Sequence, residues 1–198
     1  MASTGRTRSA ELAGAVSQAA LAVLVEEGVD RLTVRRVAER AGVAPMGVYS
    51  RFGGKDGLIR VLLLEGFAGL HQAVAAARGL DPLDRVRRSC QAYREYALSH
   101  AAHYRLLFEE LARQAPGGPV HVAADAAFGE LVARCEDAVR AGRLTALPPE
   151  QLAQALWGAC HGAVVLELAE LSRADAGTTY DMTVDALLRG LVPQQPSA

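Results

Sequence analysis

The chain has 198 residues, 51% of them hydrophobic, which is enough apolar content for the packed core of one large domain or two modest ones. The formal net charge of −1 gives no sign of a nucleic-acid partner, but residues 1–60 carry nine Arg and Lys against six Asp and Glu, and the remainder carries twelve against sixteen. A basic amino-terminal part on an acidic body is typical of a protein that contacts phosphates with one end.

The first predicted helix covers residues 9–27. Its apolar residues recur at intervals of three and four and place Val16, Ala20 and Val23 on one face. Gly28 is the predicted end of this helix. Residues 1–8, which precede it, are predicted to form a flexible basic arm.

Residues 33–52 read TVRRVAERAGVAPMGVYSRF and have the pattern of a DNA-binding helix-turn-helix. Thr33 is a candidate N-cap ahead of the apolar stripe of a two-turn helix. Gly42 tolerates the positive φ that is needed where this helix ends. Pro45 is favoured in the first turn of the next helix, whose Val48 faces inward. Two glycines then separate the second helix of the motif from a longer one.

This segment resembles the N-terminal domain of the TetR/AcrR family of bacterial one-component transcriptional regulators. The resemblance is carried by LTVRRVAERAGVA at 32–44, by GVYSRF at 47–52, and by Lys55 after the paired glycines, followed by an apolar helix. It implies an all-α, nine-helix architecture with a helix-turn-helix headpiece and a helical domain for ligand binding and dimerisation. Segments such as LWGACHGAVVLEL at 156–168 also resemble the branch with a WHG-like C-terminal domain.

The rest of the sequence also predicts helices, because it has no run of alternating β-branched residues. Predicted helices run from near Lys55 past Val74, over about 83–99, 103–114, 120–141 and 148–171, and from an N-cap at Thr178 to Leu191. The predicted domains are the arm (1–8), the DNA-binding domain (9–57, with its motif at 33–52), the ligand-binding and dimerisation domain (58–192) and a frayed tail (193–198).

The resemblance implies contacts with the phosphates of a double-stranded DNA operator. Thr33, Tyr49 and Lys55 match the positions where family members reach the backbone, and such contacts set register rather than sequence preference. Arg35 and Arg36 are further candidates, although a solvated helix face explains them equally well.

Base reading is expected from the first turn and outer face of the second motif helix. Ala44 and Met46 can touch a thymine methyl, and Arg51 can pair with a base edge. We expect DNA shape to contribute, with Arg6 or Arg8 in a flanking minor groove. The predicted DNA-contacting set is Thr33, Arg35, Ala44, Pro45, Met46, Gly47, Tyr49, Ser50, Arg51 and Lys55.

Small residues at four-residue spacing near residue 160 would let another helix approach closely. In the family, the last two helices pair with their copies in a four-helix dimer interface, which predicts a homodimer. The alternative is that these residues seat the helix within its own subunit. The predicted interface residues are Gly158, Ala159, Gly162, Ala163, Val184 and Leu188.

The helical body is the predicted sensor of a small, apolar inducer. Aromatic side chains at helical spacing are the candidates, although most such residues belong to a core. The predicted ligand-binding residues are Phe67, His71, Tyr93, Tyr96, Phe108, Phe128, Trp157 and His161.

Two other functions remain open at this point: a regulator that acts through a protein partner without an inducer, and, more remotely, an enzyme. His100 and His103, or Cys160 beside His161, match no established metal-ligand pattern, and no hydrolase or phosphate-loop motif is present. We therefore predict a non-enzymatic protein without metal or cofactor. The three cysteines lack regular spacing and fit buried thiols in a reducing cytosol. We expect a cytoplasmic protein with no membrane span.

Overall fold

The computed structural model describes the backbone of residues 3–193 and the side chains of residues 11–193. This part of the chain has nine α-helices and no strand, which confirms the predicted fold class. The helices are α1 (Ser3–Glu27), α2 (Val34–Ala41), α3 (Pro45–Phe52), α4 (Lys55–Ala76), α5 (Pro82–Ser99), α6 (Ala101–Leu111), α7 (Pro119–Arg140), α8 (Pro149–Leu168) and α9 (Ala176–Leu191). A 3-10 turn at Val29–Arg31, which was not predicted, joins α1 to α2.

Two helix starts differ from the sequence predictions. Helix α1 begins at Ser3, so residues 3–8 of the predicted arm are helical, and no proline interrupts them. The side chains of Arg6 and Arg8, and the tail beyond residue 193, lie outside the described residues. Helix α9 begins ahead of Thr178, which is therefore not its N-cap. Asp175 has that role and accepts the Thr178 amide N–H at 2.8 Å.

The chain forms two compact units. The first contains Met1–Phe67 and Ala102–His121, and the second contains Ala68–Ala101 and Val122–Ala198. This division falls within α4, ten residues beyond the predicted domain boundary at 57/58, and it assigns α6 to the first unit. Helix α6 joins this unit because its inner side chains pack on the first half of α4.

In the first unit, α2 packs on α1 and α3 packs on α2. Val37, Ala38 and Val48 are each 0% exposed, which confirms the inward face of the motif. Thr33 accepts the Arg36 amide N–H at 3.2 Å, and Gly42 adopts φ 66°, so the predicted cap and turn are also confirmed. The N-cap, the glycine turn and the buried side chains stabilise two helices that are too short to be stable alone.

Helices α4 and α6 approach closely within the first unit. The His103 Nε2 atom lies 2.6 Å from the Leu62 carbonyl oxygen, and His103 is buried. A Cβ atom at Gly66 would lie 2.6 Å from Leu107 Cδ2 and 2.7 Å from His103 Nε2. Only glycine fits this position without displacing its neighbours.

The second unit packs α5 against α8 and α9. An arginine of α7, Arg134, is 8% exposed and donates to the carbonyl oxygens of Val74, Ala75 and Ala77 at 2.9–3.2 Å. It also pairs with Glu130 at 3.0 Å. This side chain satisfies carbonyl groups at the C-terminal end of α4, where intrahelical donors are absent.

Candidate functional site

The outer face of α3 is a solvent-exposed surface on the first unit. Val48 anchors the helix on its inner side, so the opposite side chains are exposed, including Met46 at 73% and Tyr49 at 53%. Ala44, Pro45, Ser50 and Arg51 are exposed as well, whereas Gly47 is half-buried. An exposed methionine beside an exposed tyrosine on an eight-residue helix is a surface suited to contact with another molecule.

Three predicted phosphate contacts, Thr33, Tyr49 and Lys55, have exposed side chains. The Thr33 oxygen accepts a backbone N–H at 3.2 Å, so its own hydroxyl hydrogen remains able to donate. The Lys55 Nζ atom donates to the Val29 carbonyl oxygen at 3.2 Å. This bond orients the ammonium group, which has two further N–H donors. Tyr49 adds an exposed phenol.

The arginines of α2 differ in their partners. Arg36 Nε lies 2.9 and 3.0 Å from the two carboxylate oxygens of Glu27, and Arg40 pairs with Glu26. The hydrogen bond from Arg40 lowers the pKa of Glu26. Arg35 is exposed and makes no ion pair with another residue in the described part of the chain. Of these arginines, it has the charge most available to a phosphate.

The sequence did not predict these ion pairs. Glu27 and Arg36 are nine residues apart, and Glu26 and Arg40 are fourteen residues apart. Neither spacing belongs to one helix, so helical periodicity gives no signal. An open surface depression of about 600 Å³ lies at this junction and is lined by Glu27, Asp30, Arg31, Thr33 and Arg36.

Four of the predicted ligand-binding residues form a polar and aromatic group in the second unit. Trp157 Nε1 donates to the Tyr93 hydroxyl oxygen at 3.2 Å, and that hydroxyl lies 3.0 Å from His161 Nδ1. Phe128 meets the Trp157 ring edge to face, with centroids 6.1 Å apart. Burial lowers the pKa of His161, which favours the neutral ring that accepts from Tyr93. We name Tyr93, Phe128, Trp157 and His161 the Tyr93 group.

The other four predicted residues lie elsewhere. In the first unit, Phe67 meets Phe108 edge to face at 6.3 Å, and Phe108 contacts Tyr104 at 4.9 Å, a residue that the sequence analysis did not single out. In the second unit, Tyr96 stacks on His100 at 4.5 Å. His71 lies 3.9 Å from Glu130. Sequence spacing could not divide these aromatic residues between two units.

One side of α8 and α9 presents small and apolar residues to solvent. A Cβ atom at Gly158 or Gly162 would meet nothing within 4 Å, so these glycines do not seat α8 against its own subunit. Ala159 and Ala163 beside them are half-buried. The exposed residues, which we name the α8–α9 face, are Ala155, Gly158, Gly162, Val165 and Leu166 on α8 and Met182, Ala186 and Gly190 on α9.

The assignment of Val184 and Leu188 to a dimer interface is wrong. They are only 2% and 1% exposed within a single chain, because they lie on the inner side of α9. Their side chains are already covered, so they have no surface to offer a second chain. Tyr180, Val184 and Leu188, which recur at four-residue spacing, mark the core side of α9.

No group of three or more potential metal ligands occurs among the residues that the structure describes. One helix in that part, α4, is long and apolar enough to cross a membrane. Within its most apolar stretch, 44% is buried inside the protein, and one such helix is weak evidence for a membrane span.

Comparison with known families shows which family this fold belongs to. Residues 17–62 match the family described as bacterial regulatory proteins, tetR family. Residues 86–191, more than half of the chain, match the tetracyclin repressor-like C-terminal domain. The chain belongs to the TetR family. The resemblance drawn from residues 32–55 is thereby confirmed, and the protein is a transcriptional regulator of a DNA-binding, dimerising family.

Solved structures share the TetR architecture at low sequence identity. A protein of unknown function from Rhodococcus sp. RHA1 is 24% identical with a TM-score of 0.83, over 92% of this chain and 96% of that one. A tetR-family regulatory protein from Rhodococcus RHA1 is 21% identical with a TM-score of 0.72, over 93% and 98%. The TetR-family regulator PfmR from Thermus thermophilus is 18% identical with a TM-score of 0.70, over 88% and 97%. No curated protein matches the chain significantly in sequence.

Proposed function

We propose that this TetR-family regulator is a cytoplasmic repressor that binds a palindromic operator as a homodimer and is released by a small apolar ligand. The exposed outer face of α3 supports the operator part of this proposal most directly. Its Met46 and Tyr49 are exposed although Val48, between them in sequence, is fully buried. The helix is therefore held on one side and open on the other, as a recognition helix requires.

The chemistry of this face favours contacts with thymine methyl groups and with phosphates. Met46 and Ala44 offer apolar surface, whereas Arg51 is the exposed side chain on α3 that can donate two hydrogen bonds to a guanine edge. Thr33, Tyr49 and Lys55 supply hydroxyl and ammonium donors for the backbone. Few base-edge donors imply that DNA shape contributes to specificity.

The α8–α9 face supports the homodimer. Its glycines leave open space for the backbone of a partner helix, and its Val165, Leu166 and Met182 are 44%, 50% and 65% exposed. Such apolar exposure is costly in a monomer and is removed when two copies pack together. Two recognition helices would then address successive major grooves about 34 to 36 Å apart.

The Tyr93 group supports a ligand site in the second unit. It combines aromatic surface with hydroxyl, indole and imidazole groups, which is the composition of a pocket for a mainly apolar molecule with one or two polar atoms. A ligand that prefers one arrangement of the dimer shifts the population toward it, and operator affinity falls when that arrangement no longer matches the groove spacing.

Selection of bound duplexes from a random pool at physiological salt tests the operator proposal. We expect a two-fold symmetric motif and a complex of two chains per duplex, measured by sedimentation. A motif without symmetry would overturn the dimeric operator. Failure to enrich any sequence by a folded protein would overturn the proposal and favour action through a protein partner. A screen of small apolar compounds for release of the selected duplex then tests the ligand part separately.

A further inference from the structure

Both methionines whose side chains the structure describes are exposed to solvent. Met46 on α3 is 73% exposed, and Met182 on α9 is 65% exposed. Methionine is ordinarily one of the residues that fill a core, because its flexible thioether adapts to irregular gaps. In the described part of this chain, leucine, valine and alanine fill most of the buried apolar positions, and methionine fills none. The thioethers are therefore at the surface.

The thiols of the chain, by contrast, are shielded from solvent. Cys90, Cys135 and Cys160 are free and at most 3% exposed. Burial raises the pKa of Cys135 to about 12, so this thiol has little of the reactive thiolate form at neutral pH. A small oxidant in solution therefore meets the thioethers of Met46 and Met182 before it meets a thiol.

Met46 lies on the part of the proposed operator surface that carries the base contacts. It is the second residue of α3, which begins at Pro45. Val48, the fully buried anchor of this helix, lies two residues further on, or about 200° around the helix axis. A chemical change at Met46 therefore alters the outer surface of α3 and leaves its packing on the first unit intact.

Oxidation replaces the apolar thioether of methionine with a polar sulfoxide. The thioether suits contact with a thymine methyl group, whereas the sulfoxide oxygen is a hydrogen-bond acceptor without a donor. Thymine O4 and the purine N7 atoms of the major groove are acceptors too, so only the amino groups of adenine and cytosine can satisfy a sulfoxide. A sulfoxide against a thymine methyl group is desolvated and unpaired, which weakens the complex.

We propose that Met46 is a modification site, a reversible sulfoxide switch through which hydroperoxides release the regulator from its operator. The thioether sulfur attacks the terminal oxygen of the hydroperoxide, the O–O bond breaks, and that oxygen stays on sulfur. The other oxygen takes up the displaced proton and leaves as water or an alcohol. The sulfur loses the two electrons that the hydroperoxide gains. Methionine sulfoxide reductases reverse the change with two electrons from thiols, and the oxygen leaves as water.

This switch rests on the proposed function, because it acts on the operator contact of α3, and it should affect sequence recognition alone. A sulfoxide is uncharged, so the phosphate contacts proposed for Thr33, Tyr49 and Lys55 keep their electrostatic contribution. We expect operator affinity to fall at least about tenfold on oxidation, the effect of one buried unpaired acceptor. Affinity for non-operator duplexes should change by less than about twofold, with the same salt slope.

The first experiment uses the unmodified full chain and a duplex selected from a random pool. The chain is partly oxidised with hydrogen peroxide, the peroxide is removed, and the protein is divided between immobilised duplex and solution. Peptide mass spectrometry then measures the sulfoxide at Met46 and at Met182 in each fraction. We expect Met46 sulfoxide to be concentrated in the unbound fraction. Its even distribution between the two fractions would overturn the proposal.

Met46→Leu is the matched variant, because leucine keeps an apolar side chain of similar volume without the thioether. Each protein is compared with its own untreated sample by fluorescence anisotropy. Oxidation should lower the operator affinity of the parent chain and of Met182→Leu at least about tenfold, and that of Met46→Leu by less than about twofold. Equal losses in the parent chain and Met46→Leu would overturn the proposal, because another residue would then be responsible.

Reversal separates the thioether from the thiols. Methionine sulfoxide reductases with dithiothreitol should restore operator affinity, whereas dithiothreitol alone should not, because it reduces disulfides and sulfenic acids but not sulfoxides. Restoration by dithiothreitol alone would assign the effect to cysteines and overturn the proposal. If oxidised and untreated chains bind the operator alike, the switch fails and the operator proposal stands. If the untreated, folded chain selects no duplex, the operator proposal itself fails, and the switch fails with it.

Discussion

The polar residues of α2 and α3 face solvent, whereas many polar residues of the second unit face one another. In the first region, Arg36 and Arg40 make exposed ion pairs, and Tyr49 and Met46 project outward. In the second, Arg134 and the Tyr93 hydroxyl have partners in the interior. The difference predicts two classes of variant: changes in the first region should alter DNA affinity with little effect on folding, and changes in the second should alter stability first.

Arg134→Leu should have the largest effect on stability. It removes the donors to the carbonyl oxygens of Val74, Ala75 and Ala77 and leaves Glu130 without its charge partner. Breaking a buried ion pair on one side costs about 3 to 5 kcal/mol. Urea denaturation measures the loss. The control is Arg140→Leu, because Arg140 is 65% exposed and such surface pairs contribute less than about 1 kcal/mol. Equal losses would contradict a capping role for Arg134.

Gly66→Ala tests a buried position within the first unit, where the effect should also be on folding. The added methyl would lie 2.6 Å from Leu107 Cδ2 and 2.7 Å from His103 Nε2, so these buried side chains must shift. Overpacking of this kind costs about 1 to 3 kcal/mol. Gly129→Ala on α7 is the matched control, because its Cβ would meet nothing within 4 Å. The control should be neutral or slightly stabilising, since alanine is the better helix former.

Lys55→Ala should weaken binding to all DNA sequences alike and leave stability within about 0.5 kcal/mol. Loss of one phosphate contact reduces the slope of log affinity against log salt concentration by about 1. Fluorescence anisotropy over a salt series measures both quantities, and Tyr49→Phe should show the same uniform loss without a change in slope. An unchanged affinity in both variants would remove these residues from the interface.

Glu27→Gln should raise the affinity for DNA, whereas the preceding variants lower it. Arg36 Nε lies 2.9 Å from the Glu27 carboxylate, and neutralising this acid leaves only Glu39, 3.4 Å from Nη1, as a carboxylate partner, so the guanidinium becomes more available to phosphate. We expect tighter non-specific binding and a salt slope that is steeper by about 1. Glu136→Gln, which removes one of the two carboxylates paired with the exposed Arg140 in the second unit, is the matched control and should leave the slope as it is. If both variants behave alike, the pairing of Arg36 does not tune affinity.

The smallest expected effect concerns pH and His161. Because burial lowers the pKa of His161 in the folded state, the unfolded chain takes up its proton first as pH falls. The stabilising contribution is therefore complete well above the unfolded value of about 6.5 and is lost progressively below it. Stability measured between about pH 7.5 and 5 should fall less steeply in His161→Gln than in the parent chain. Parallel curves would show that His161 does not titrate differently on folding.

The sequence alone was enough to predict the helices whose ends are capped by nearby residues. Thr33 and Gly42 determine the ends of α2 through bonds within a few residues, so their roles could be predicted. The predicted start of α9 differs from the observed one because Asp175 and Thr178 can both act as N-caps. Spacing alone does not decide which of them is used.

Contacts between distant segments could not be predicted in the same way. Glu27 and Arg36, and likewise Tyr93 and His161, meet only because helices pack. For α9, the period of 3.6 residues identified an apolar stripe but did not tell whether it faced the core or a partner chain. The burial of Val184 and the exposure of Met182 settle that question for a single chain.

The one-sided anchoring of α3 also has an evolutionary consequence. Val48 ties the helix to the first unit, while Ala44, Pro45, Met46 and Ser50 are exposed. Substitutions at the exposed positions incur almost no folding penalty, so descendants of this gene can acquire new target sequences by single steps without first gaining stability elsewhere. The same freedom makes these four positions suitable for a randomised library of regulators with reassigned promoters.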